Sequence, residues 1–71
     1  MANATFQTEL GAVTAKGPYF SFVKGREVIQ LTFIKPENEE NGYGVCKEFP
    51  SDISLSPEFM TDFAEQSVNL L

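Results

Sequence analysis

Residues 19–34, YFSFVKGREVIQLTFI, alternate apolar and polar side chains in two runs separated by Lys24-Gly25-Arg26. Phe20 and Phe22 stand two apart, and Ile29, Leu31 and Phe33 repeat that spacing, so each set shares one face of a strand. Period-two alternation in β-branched and aromatic residues predicts a hairpin. Gly25 supplies the positive φ of its turn, and Lys24 and Arg26 hold the turn in solvent. The opposite faces carry Tyr19, Ser21 and Val23 on one strand and Val28, Gln30, Thr32 and Ile34 on the other. Tyr19, Val23, Val28 and Ile34 make this second face apolar enough to be either partly covered or a contact surface.

Residues 1–4 are expected to be a loose terminus. Residues 5–15 read as the first strand, with a bulge or bend at Gly11, where the apolar positions shift parity from Phe6, Thr8 and Leu10 to Val13 and Ala15. Lys16-Gly17-Pro18 reads as a turn, with Pro18 at the very start of the next strand because it has no N–H to donate. Beyond the hairpin, Glu37-Asn38-Glu39-Glu40-Asn41-Gly42 is an acidic loop without periodicity. Residues 43–49 read as a fourth strand, with Tyr43, Val45 and Phe49 on one face and Cys46 on the other; Lys47 interrupts the apolar face and marks an edge. Ile53 and Leu55 are expected to tuck under the sheet.

Ser56-Pro57-Glu58 is a helix start, with a capping hydroxyl, a proline at the first helical position and an acid in the first turn. Phe59, Met60, Phe63, Ala64 and Leu71 recur at helical spacing, and Glu58, Asp62, Glu65 and Asn69 form the opposite stripe. The chain therefore reads as one small domain over residues 1–71, with an antiparallel sheet over 5–49 and a helix over 56–70. Its class is α+β: an antiparallel meander of about four strands with one C-terminal amphipathic helix packed on one face. A barrel-like closure of the strands is the alternative.

Hydrophobic content of 42% suffices for a packed core and excludes global disorder. No apolar run approaches the ~20 residues of a membrane span, and the start MANATFQTELG has neither the basic nor the apolar region of an export signal, so neither membrane association nor export is expected. Cys46 is the single cysteine, which leaves no internal disulfide and fits a reducing cytoplasm. The net charge of −5 is unevenly spread: residues 1–35 carry +2 and residues 36–71 carry −7.

Histidine is absent, which removes the commonest general base and metal ligand. No serine sits in a nucleophile elbow, and the glycines lie singly rather than in a phosphate loop. Glu37, Glu39 and Glu40 lack the glycine-containing spacing of a calcium loop. No enzymatic activity, metal or cofactor is expected.

Two binding surfaces remain. One is acidic: Glu37, Glu39 and Glu40 in the loop, with Glu58, Asp62 and Glu65 in a line along one helix face. Such a line can dock on a basic protein surface, and at its extreme it imitates the phosphates of a nucleic acid. The other is basic and partly apolar: Lys16, Tyr19, Val23, Lys24, Arg26 and Val28, which combine cations with an aromatic face for single-stranded nucleic acid. Lys16-Gly17-Pro18-Tyr19 faintly resembles, with a gap, a turn of filamentous-phage single-stranded-DNA-binding proteins; those proteins have no comparable acidic helical end, and no family follows from four residues.

The expectation is a cytoplasmic, acidic protein-binding module, an inhibitor or accessory factor of the kind phages and mobile elements encode. Its partner would be a protein, such as a basic nucleic-acid-handling enzyme. A single-stranded-nucleic-acid binder and a homodimeric structural subunit, joined through the uncovered sheet face or an edge, are the alternatives.

Overall fold

Thr8 ends the first strand by turning its hydroxyl onto the backbone: Oγ1 accepts from the N–H groups of Leu10 and Gly11, both at 3.1 Å, and donates to the Gly11 carbonyl at 2.7 Å. The computed structural model describes residues 2–38, 40 and 44–70. It is a meander of β1 (Ala2–Thr8), β2 (Gly11–Ser21), β3 (Arg26–Ile34) and β4 (Gly44–Pro50), each antiparallel to the next, followed by α1 (Pro57–Leu70) packed on the sheet. This is the expected α+β arrangement. A short 3-10 turn, Pro36–Asn38, opens the connection from β3 to β4.

Three boundaries differ from the expectation. Residues 5–15 are not one bent strand but two, because Glu9 and Leu10 form a two-residue turn that pairs Thr8 with Gly11. That turn accounts for the parity shift, since it sets Phe6 opposite Val13 and Ala4 opposite Ala15. Gly11 is required there: its φ is +153°, and a Cβ would stand 2.7 Å from the Ile34 carbonyl oxygen. Residues 2–4 belong to β1, in register with β2, rather than to a loose end.

Second, residues 16–18 do not turn the chain. Lys16 pairs with Gln30 and Tyr19 with Val28, so Gly17 and Pro18 together oppose Ile29 as a bulge inside β2. Third, the β2–β3 hairpin turns two residues early. β2 stops at Ser21, and Phe22, Val23, Lys24 and Gly25 make the turn. The Gly25 N–H donates to the Ser21 carbonyl at 2.7 Å, the Lys24 N–H donates to Ser21 Oγ at 3.2 Å, and Gly25 takes a φ of +68°. Tyr43 and Leu71, expected in the fourth strand and on the helix, lie outside the described residues.

The core lies between the sheet and α1. Val13, Ala15, Leu31 and Phe33 come from the central strands, and Met60, Phe63 and Ala64 come from the helix. Phe49 of β4 meets Phe59 and Phe63 edge to face, with ring centroids 5.3 and 5.9 Å apart. Lys47 Nζ lies 5.3 Å from the Phe49 ring centroid, so the charge that marks β4 as an edge also shields its aromatic side chain. The expected cap is present: the Phe59 N–H donates to Ser56 Oγ at 3.1 Å. Ser67 is buried beside the core, and its hydroxyl donates to the Phe63 carbonyl at 2.7 Å. Ile53 is half-buried, while Leu55 stays exposed.

Candidate functional site

The face of the sheet away from α1 is built in rows. Lys16, Gln30 and Glu48 form one, Tyr19, Val28 and Pro50 the next, and Thr14, Thr32 and Cys46 a third. Val28, expected on an open contact face, is fully buried. It is flanked in register by Tyr19 and Pro50, and Lys24 Nζ reaches back from the hairpin end to the Glu48 carbonyl at 3.4 Å. Val28 therefore acts as a second small core and is unavailable to a partner.

Tyr19 is half-buried, and its hydroxyl donates to the Glu48 carboxylate across the sheet. That hydrogen bond, then burial, then the negative charge of Glu48 and of Cys46 push the Tyr19 phenol up to about 12. A phenol so engaged is a fixed donor within the sheet, not a free stacking platform. Cys46 is exposed beside Thr32.

The hairpin end carries what the face does not. Phe22 is 90% exposed, Val23 96% and Phe20 52%. The Phe20 and Phe22 rings meet edge to face, with centroids 5.2 Å apart. Lys24 and Arg26 are exposed in and beside the same turn, and Lys16 is exposed one bulge further along β2. Of the basic and apolar set, Val23, Lys24 and Arg26 thus come together at the hairpin end, Lys16 and Tyr19 lie on the sheet face, and Val28 lies beneath. Phe20 and Phe22 were not among the expected surface residues. The signal for them is Ser21 four residues before Gly25, a hydroxyl and a left-handed glycine spaced to close a turn.

On α1, Met60, Phe63, Ala64 and Ser67 face the sheet, which leaves Glu58, Asp62 and Glu65 exposed along the helix. Among the described residues none of these three is ion-paired. In the loop, Glu37 pairs with Lys35 at 3.3 Å while staying mostly exposed, a contact of little energetic weight. Glu40 is exposed, and Glu39 lies outside the described residues. Among the described residues no three acidic or thiol side chains converge on one point, and no helix is long and apolar enough to cross a membrane.

No protein-family model matches the chain, and no curated protein or solved structure matches it significantly.

Proposed function

We propose that this chain is a small, non-enzymatic binding module that works by occupying the surface of a partner protein, as an inhibitor or accessory factor of the kind phages and mobile elements encode. The observation that supports this is the hairpin end, where Phe22 and Val23 stand almost wholly in water. Each forgoes roughly 1.5–3 kcal/mol of burial by remaining there, which a complementary pocket on a partner would recover. Aromatic side chains beside an arginine are the chemistry of interface hot spots, and Phe20, Phe22 and Arg26 supply it. The acidic stripe on α1 then has the separate role of steering the module towards a basic surface, as a nucleic-acid-handling enzyme presents. The lone thiol at Cys46, left exposed on the sheet, suits a reducing compartment and supports placement in the cytoplasm.

A second reading, single-stranded nucleic acid as the ligand, is favoured by the same ring pair. Phe20 and Phe22, rather than Tyr19, would stack on bases, with Lys24, Arg26 and Lys16 tracking phosphates. One set of variants separates the two. Immobilised wild-type protein and the F22S/V23S double variant are used as baits in lysate of the native host, and both are titrated into a labelled single strand at about 50 mM salt. Under the first reading a protein is enriched on the wild type and lost on the variant, and the oligonucleotide anisotropy stays flat. Anisotropy that rises with wild-type protein and falls steeply with salt favours the second. A bait profile identical for both proteins, with no oligonucleotide binding, removes the hairpin end from either role.

A further inference from the structure

β1 is an edge strand without the usual protection of an edge. Ala2–Thr8 contains no charged residue and no proline, and its register with β2 is unbroken over all seven residues. Free edges present unpaired N–H and C=O groups and are normally blunted by charges, prolines or bulges. β4, the other edge, has these devices: Lys47 and Glu48 within the strand and Pro50 at its end.

We infer that β1 is the contact strand of a symmetric homodimer, in which two copies join edge to edge and antiparallel to make one continuous sheet. A two-fold axis perpendicular to the sheet keeps the faces matched, so only residues of like parity can oppose each other. The register that uses the whole strand sets Thr5 opposite Thr5 of the second copy, Asn3 opposite Gln7, and Ala4 opposite Phe6. Ala4 borders a hollow of about 150 Å³ lined also by Ala15, Gly17, Ile29 and Leu55, on the helix side of the sheet. Phe6 is half-buried on that same side. The register thus places the largest side chain of β1 against one of the smallest, at the mouth of a gap.

Charge agrees with this orientation. Lys16 stands beside Asn3 in register, at one end of β1, and Glu9 follows Thr8 at the other. Antiparallel pairing brings each Lys16 to the end where the second copy's Glu9 lies, about two strand spacings across and two residues along, so the two charges attract at long range without pairing. The contact is isologous and closes on itself, which uses up the free β1 edges instead of propagating them. It is independent of the hairpin end, so the module can dimerise whether or not Phe22 docks.

The test is sedimentation equilibrium of the protein and two variants. Wild type is expected to show twice its 7.9 kDa chain mass in a concentration-dependent manner. T5K and T5E each place like charges across the axis and are expected to sediment as monomers at concentrations where wild type is dimeric. An equimolar mixture of the two is expected to recover the dimer. Thr5 is exposed, so both variants should keep the wild-type circular dichroism. Should either unfold, wild-type amide exchange decides instead: the β1 amides that point away from β2 exchange more slowly as concentration rises. Wild type at 7.9 kDa up to about 1 mM overturns the inference. So do a dimer indifferent to both Thr5 substitutions, variants that stay monomeric on mixing, and β1 exchange independent of concentration.

Discussion

The Tyr19 hydroxyl donates to a carboxylate on a strand two removed, and that donation sets its titration. A phenol that keeps its proton to about 12 in the folded chain, against 10.0 ordinarily, favours the neutral form on folding. Its contribution to stability is complete below pH 10 and is lost as pH rises towards 12, because the unfolded chain ionises first. Urea midpoints are therefore expected to fall across that interval, and Tyr19→Phe is expected to flatten the fall. Replacing Tyr43 by Phe leaves Tyr19 as the sole tyrosine, so its tyrosinate absorbance can be followed directly. An absorbance midpoint near 10 in folded protein would mean that the Glu48 contact does not persist in solution. The same pair shows what periodicity cannot reach. Alternation placed Tyr19 and Val28 on one face, which is where they are, but left that face open. The residues that close it, Glu48, Pro50 and Lys24, come from β4 and from the turn, and no local pattern in residues 19–34 announces them.

Among the elements, α1 was the most legible and the β1–β2 turn the least. Ser56, Pro57 and Glu58 each carry a local signal for a helix start, and the apolar stripe names the buried side without reference to the sheet. Glycine is less informative, because Gly11, Gly17 and Gly25 all mark irregular backbone while only pairing decides its form. Gly11 closes a two-residue turn, Gly17 makes a bulge, and Gly25 ends a turn begun at Ser21. Reading Gly11 as a bend and Gly17 as a turn interchanges two errors that cancel, so the count of four strands survives while the boundaries move. The helix itself is testable through Phe63, which is 6% exposed and meets Phe49 across the core. Phe63→Ala is expected to cost about 3–5 kcal/mol, against a total stability of roughly 5–15 for a small domain. Glu65→Ala, on the exposed stripe, is expected to leave urea melts unchanged. Equal losses from the two would place the wrong side of α1 against the sheet.

For the whole molecule, the charge asymmetry of the sequence becomes a spatial one. Residues 1–35, at +2, contribute the basic hairpin end, and residues 36–71, at −7, contribute α1 with its acidic stripe. A module so arranged has an apolar anchor in one place and a steering field in another, and the two should govern different rate constants. Glu58→Gln, Asp62→Asn and Glu65→Gln together relieve like-charge repulsion along α1 and keep the Ser56 cap, so the circular dichroism is expected to hold. Against the partner found by the bait experiment, this triple variant is expected to associate more slowly, on the order of tenfold at low ionic strength, with its off-rate nearly unchanged. The deficit should shrink as salt rises, because the wild-type on-rate itself falls once its charges are screened. F22S/V23S is expected to do the reverse, leaving association near wild type and speeding dissociation at every salt concentration. Surface plasmon resonance across a salt series reads both constants. A triple variant with the wild-type on-rate at low salt would reduce the α1 stripe to a solvated helix face, and binding would then rest on the hairpin end alone.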